Sequence, residues 1–146
     1  MGWAAITTSR GWSFMDIPKE LLEIGERLRT QDNRCTDSPM FCVQVRERIV
    51  GFDTDYCEGT VWFDPDDCED GEKERPEDVD STDLREIGYR DIWKTVMVSF
   101  TEEGCKEHLR QNGHNYRHYE ETRIYAECFW RIPEMNAIRK FLMELK

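Results

Sequence analysis

Apolar positions along this chain follow two rhythms, one helical and one extended. Ile17, Leu21, Ile24 and Leu28 recur at three- and four-residue spacing and share one helix face, with Glu20, Glu23, Glu26 and Arg27 off it. Asp16-Ile17-Pro18 reads as the start of that helix, because Asp offers a capping oxygen and Pro fits the first turn. Asp32-Asn33 ends it. After Pro39 the rhythm changes to period two: Phe41, Val43, Val45 and Ile49 alternate with Cys42, Gln44, Arg46 and Arg48, as in a half-buried strand that Glu47 interrupts. Gly51 to Gly59 reads as a loop and Thr60 to Phe63 as a short second strand, the pair forming a hairpin with a long connection.

The next stretch, 64–91, is different. It holds thirteen Asp and Glu against four Lys and Arg, and its only aliphatic or aromatic residues are Val79, Leu84, Ile87 and Tyr89. Such a composition buries too little surface to offset the entropy of ordering it. It predicts a mobile or loosely held acidic insertion.

Regular patterning resumes at Ile92. A strand runs to Phe100, and a helix follows from Thr101 to Asn112. Thr101 is the expected N-cap, Glu102 and Glu103 suit the positive end of the helix dipole, and Gly113 is expected to close it in the left-handed conformation. A polar loop covers 113–122. A fourth strand, 123–130, points Ile124, Ala126, Cys128 and Trp130 one way and Tyr125, Glu127 and Phe129 the other. Pro133 opens a terminal helix with a stripe of Met135, Ile138, Leu142 and Leu145, Phe141 beside it, and Lys140 and Lys146 near its negative end. The order α-β-β-(acidic insertion)-β-α-β-α predicts an α+β fold: a small, mainly antiparallel sheet with two or three packed helices. With 146 residues, one domain over 1–146 is expected, and 1–14, carrying Trp3, Ile6, Trp12 and Phe14, reads as an N-terminal extension.

Charge narrows the function classes. Charged residues make up 35% of the chain, where about a quarter is ordinary, and the net charge is −11. That balance opposes unaided binding to nucleic acid or an anionic membrane, since phosphates are bound by Lys and Arg. It favours a partner protein with a basic surface, including one that itself handles nucleic acid. The cysteines at 35, 42, 57, 68, 105 and 128 form no C-x-x-C pair and no zinc spacing with histidine. They read as reduced thiols, several of them in the core. Residues 1–14 lack the basic start and continuous apolar run of a secretory leader, and no run is long enough to span a bilayer, so the cytoplasm is the expected compartment.

Three groups of residues are candidates for chemistry. The carboxylates Asp64, Asp66, Asp67, Glu69, Asp70, Glu72 and Glu74 form an anionic track able to occupy a basic groove; the competing reading is a solvated loop. Asp66, Asp70, Gly71 and Glu77 match part of a calcium loop, but Cys68 replaces a needed oxygen and Lys73 an apolar residue, so no metal or cofactor is expected. His114, Tyr116, Arg117, His118, Tyr119 and Arg123 interleave basic and aromatic side chains, as a small-anion or nucleotide contact would. The competing readings are turn hydrogen bonds and a loop folded on the acidic insertion. Finally, Cys105 sits in the first turns of a helix, where the dipole favours a thiolate, with His108 one turn on. Glu102 and Glu103 oppose that effect, no third residue is identifiable for Cys105 or His114, and a non-enzymatic protein is expected.

Several runs carry a resemblance. Thr30-Gln31-Asp32-Asn33-Arg34-Cys35-Thr36 leads to Pro39 and Phe41-Cys42-Val43-Gln44; Phe100-Thr101-Glu102-Glu103-Gly104-Cys105 to Asn112-Gly113-His114-Asn115; and Thr122-Arg123-Ile124-Tyr125 to Pro133-Glu134-Met135 and Phe141-Leu142. Over about half the chain, excluding 1–14 and the acidic insertion, this resembles a group of small accessory proteins carried by phages and prophages of Gram-negative bacteria. The resemblance implies only expression in a bacterial host, where small phage proteins often inhibit host machinery such as restriction or CRISPR systems. It transfers no catalytic roles.

Overall fold

A computed structural model of the chain describes residues 16–67 and 71–146. The expected extension 1–14 and the candidates Glu69 and Asp70 lie outside the described residues. The elements run α1 (Lys19–Thr30), β1 (Pro39–Phe52), β2 (Gly59–Phe63), β3 (Arg85–Ser99), α2 (Glu102–Asn112), β4 (Glu121–Cys128) and α3 (Pro133–Glu144). The fold is α+β, with one four-stranded antiparallel sheet in the order β2-β3-β1-β4.

That order corrects one expectation. β1 and β2 are not a hairpin: β2 pairs with β3, Gly59 opposite Tyr89 and Phe63 opposite Arg85, and β3 lies between the two. The reason is the length of β3, which begins at Arg85, seven residues earlier than the apolar pattern indicated. Its first residues belong to the acidic stretch, so the part of 64–91 outside strands is 64–84. Gly88 in this strand has no side chain to spare, since a Cβ there would lie 2.7 Å from both the Phe52 carbonyl oxygen and the Cys57 Cβ.

The chain divides into two compact units, each assembled from separated segments. The first comprises 16–43, 96–114 and 124–146. Here Leu28, Leu142 and Leu145 form a buried cluster, with Leu21, Leu22, Ile24, Phe100 and Met143 packed around it. α1 and α3 approach closely because residue 25 is Gly: a Cβ there would overlap the Leu142 carbonyl oxygen. The last carbonyls of α3 accept from Arg29, whose guanidinium reaches the Met143 and Leu145 oxygens at 2.9 and 2.7 Å. α1 starts without the expected Asp16 cap; the Pro18 carbonyl accepts from the Leu21 and Leu22 N–H groups instead, and Ile17 stays outside the helix and exposed. Thr101 caps α2 as expected, its hydroxyl accepting from the Gly104 N–H at 3.0 Å. Gly113 is right-handed, not left-handed, and the chain tightens into a 3-10 turn, Gly113–Tyr116, instead of reversing.

β1 departs from simple alternation. Phe41, Cys42, Val43, Gln44 and Val45 are all buried, because the strand is flanked on both edges and covered on both faces there. In β4 the expected parity fails at the end. Phe129 is buried and edge-on to Phe100, while Trp130, expected to share the Ile124 face, is 61% exposed. The strand stops at Cys128 and the following turn resets the side-chain direction.

The second unit comprises 44–95 and 115–123. Gln44 of β1 reaches Thr95 of β3, and Arg48 reaches Asp91, so the two strands run in opposite directions. Among the described residues no helix is long and apolar enough to cross a membrane.

Candidate functional site

The second unit carries most of the predicted site residues. Its organising side chain is Arg48, which sequence patterning placed only on the polar face of a strand. Arg48 grips Asp91 with two donors, at 2.9 and 3.2 Å, and reaches Glu120 at 3.4 Å and Glu72 at 3.5 Å. Its guanidinium also lies 3.8 Å over the Tyr89 ring. The hydrogen bond from Arg48 holds the Asp91 carboxyl below the usual carboxylate range, and the same bond raises the Arg48 guanidinium, against the opposing effect of burial. Two residues away on the same strand, Arg46 pairs with Glu120 and Glu121 at 3.2 and 3.3 Å. Arg123 donates to the Gln44 oxygen at 2.9 Å and stacks 3.8 Å over Trp93. Register explains why these groups meet: β1, β3 and β4 present alternate residues on one face, so cations, carboxylates and rings fall in facing rows.

The acidic stretch 64–84 belongs to this unit, joins β2 to β3, and is tied back at residues 72 and 73. Lys73 donates its backbone N–H to the Trp62 carbonyl at 2.7 Å, and Glu72 beside it reaches Arg48. Short turns shape 64–66 and 78–80, with Asp64 accepting from the Asp66 N–H and Asp78 from the Asp80 N–H. Within the predicted partner-binding set, Glu72 is thus engaged by its own protein, and Asp64 is half-buried. Asp66, Asp67 and Glu74 are exposed and enter no ion pair among the described residues. The same holds for Glu77, Asp78, Asp80 and Asp83, which the prediction left out although composition alone marked them.

The predicted anion-binding set is not brought together as one group. His114 belongs to the first unit and Tyr116 to Arg123 to the second. Arg117 and His118 are exposed, and the His118 ring lies 4.0 Å from that of Tyr119. Arg123 is committed to Gln44 and Trp93. The acidic insertion meets this loop through Arg48, which is shared by Glu72 and Glu120.

Cys105 lies in the first unit and is fully buried. Burial, then the neighbouring Cys42 and Glu102, push its thiol up to about 11. Desolvation therefore outweighs the helix dipole, and Cys105 is a protonated core thiol at neutral pH. The described cysteines 35, 42, 57, 105 and 128 are free thiols, and no group of three or more metal-ligating side chains gathers among the described residues. Comparison with known protein families, with curated proteins and with solved structures finds no match to this chain.

Proposed function

We propose that this chain is a non-enzymatic inhibitor that docks its acidic stretch on the basic, nucleic-acid-handling surface of a host defence protein of the restriction or CRISPR kind, in the bacterial cytoplasm. The observation that supports this reading is an imbalance within the second unit. Arg46, Arg48 and Arg123 are engaged internally, while seven exposed carboxylates from Asp66 to Asp83 enter no ion pair among the described residues. Unneutralised carboxylates held out on a pinned segment repel one another and gain from a surface that supplies cations. The mechanism is occlusion: the partner's phosphate-binding groove is filled by carboxylates in place of a nucleic-acid backbone. The choice of a host defence protein as target follows from the resemblance to phage accessory proteins and is part of the proposal.

The test is capture of partners on the immobilised chain, eluted by a salt gradient, beside a variant carrying Glu74→Gln, Glu77→Gln, Asp78→Asn, Asp80→Asn and Asp83→Asn. All five positions are exposed and enter no ion pair among the described residues, and Asn at 78 keeps the oxygen that accepts from the Asp80 N–H, so the variant is expected to keep the fold. A partner with a basic surface should be retained by the wild type, released as salt rises and lost from the variant. Equal retention by both proteins, or release insensitive to salt, would overturn the reading.

A further inference from the structure

Tyr56 is 74% exposed, the most of any large apolar or aromatic side chain among the described residues. It sits on a short 3-10 turn, Thr54–Tyr56, between β1 and β2 in the second unit. A single exposed ring on a loose loop needs no explanation, but this loop is tightly held. The Asp53 carboxylate accepts from the Asp55 N–H at 2.9 Å, and the Asp53 carbonyl accepts from the Tyr56 N–H at 3.0 Å. The Tyr56 carbonyl accepts two donors from the Arg90 guanidinium, at 3.2 and 2.7 Å, and that guanidinium lies 4.9 Å over the Phe52 ring. Beyond the turn, the Glu58 N–H donates to the Tyr89 carbonyl at 2.9 Å, and the Glu58 carboxylate accepts from the Asp91 N–H at 3.0 Å. None of these bonds uses the Tyr56 side chain. A large ring is thus presented to solvent on a fixed mount, which lowers the ordering cost of docking.

The charges of the turn select the occupant. Asp53, Asp55 and Glu58 are exposed and enter no ion pair among the described residues. Arg90 supplies a single positive charge against these three carboxylates, and it is turned onto Phe52 and the Tyr56 carbonyl. An aromatic ring among carboxylates suits a guanidinium, whose plane stacks on the ring while its N–H edge meets the carboxylates. A lysine ammonium is more strongly hydrated and does not stack. Phosphates and anionic headgroups are repelled by the same carboxylates, and a second copy docking through this turn would set like charges together. We propose that the Tyr56 turn is the anchor of the docking surface and takes an exposed arginine of a basic partner protein, stacked on the Tyr56 ring and paired with the carboxylates of the turn. The inference rests on the function proposed above for the class of partner, and adds to it a residue outside the acidic stretch. Turn and stretch are joined through bonds within the unit: Glu58 accepts from the Asp91 N–H, Arg48 grips the Asp91 carboxylate, and Arg48 reaches Glu72.

The experiment titrates labelled nona-arginine and nona-lysine by fluorescence anisotropy, at physiological salt, against the full chain and its Tyr56→Ala, Tyr56→Phe and Trp130→Ala variants. All three substitutions are neutral, so the field of the chain is unchanged. Trp130, in the other unit and 61% exposed, controls for the loss of any exposed ring. Tyr56→Ala should weaken nona-arginine about fivefold and nona-lysine by less than about twofold, while Tyr56→Phe and Trp130→Ala should stay within about twofold of wild type. Melting temperatures should be unchanged, because the bonds that hold the turn do not involve the Tyr56 ring. The inference is overturned if Tyr56→Ala binds nona-arginine as tightly as wild type, or if Tyr56→Phe, Trp130→Ala or the lysine peptide shows the same loss. The five-carboxylate variant, titrated alongside, separates the two readings. A loss there without one in Tyr56→Ala sinks this inference alone. A loss in Tyr56→Ala without one in the five-carboxylate variant supports it and contradicts the role given to the acidic stretch.

Discussion

The two compact units are stabilised by different physics. The first is built on apolar burial: Leu28, Phe41, Cys42, Val43, Cys105, Phe129, Leu142 and Leu145 are all buried there. In the second, only Val45 and Trp62 are buried among the described apolar residues, and the remaining work falls to Arg48, Arg46, Arg123 and their partners. Burial is directionless and tolerates many partners, while charge-assisted hydrogen bonds demand a fixed register. A unit held by carboxylate–guanidinium pairs can therefore carry an excess of acidic residues that an apolar core would not hold in place. On the proposed function, the difference separates a unit that supplies stability from one that docks electrostatically.

The largest expected effect lies in the apolar unit. Phe129→Ala removes a fully buried ring and its edge-on contact with Phe100, and should cost about 3–5 kcal/mol by chemical denaturation. Gly25→Ala places a methyl against the Leu142 carbonyl and should cost about 1–3 kcal/mol, with the α1–α3 contact reporting the change. In the second unit Arg48→Ala leaves Asp91, whose side chain is 17% exposed, without its partner, and should cost about 1.5–3 kcal/mol. A loss at Arg48 exceeding that at Phe129 would reverse the comparison.

A pH titration sharpens it further. Asp91 titrates below its ordinary value of about 3.9 because Arg48 donates to it, so the folded state favours the carboxylate. The stabilisation it contributes is complete above about pH 4 and is lost as pH falls through the depressed folded value. The stability difference between wild type and Asp91→Asn should therefore be constant from neutral pH down to about 4 and shrink below it. Phe129→Ala should show no such acid-dependent narrowing. The smallest effect is expected from neutralising Glu74, Glu77, Asp78, Asp80 and Asp83, which should leave stability within about 0.5 kcal/mol while removing the charge.

Helical periodicity located the helices, although Ile17 lies outside α1 and Ile138, counted in the stripe of α3, is exposed. The stripes ending in Leu28 and in Leu142 and Leu145 identify the faces that meet, and Thr101 marks the start of α2. What escaped were features decided by tertiary pairing. The alternation of Ile87 and Tyr89 with Glu86 and Arg90 is strand-like, but the surrounding acidic residues mask it in any composition window. Once 85–91 is strand, β3 displaces β1 as the neighbour of β2. The Arg48 cluster was hidden for the same reason, since Asp91, Glu72 and Glu120 are far apart in the chain and only register unites them. Gly113 shows the limit of local signals, because a Gly after a helix permits a left-handed turn without requiring one.

On the proposed function, the carboxylates of the second unit that enter no ion pair among the described residues carry the inhibition. The most direct measurement is the plating efficiency of a targeted phage on cells with an active restriction or CRISPR system, expressing either the wild-type chain or the five-carboxylate variant at matched levels. The account predicts that the wild type restores plating in at least one such system and the variant does not. Restoration by the variant to the wild-type level, or no restoration by the wild type in either kind of system, would contradict it.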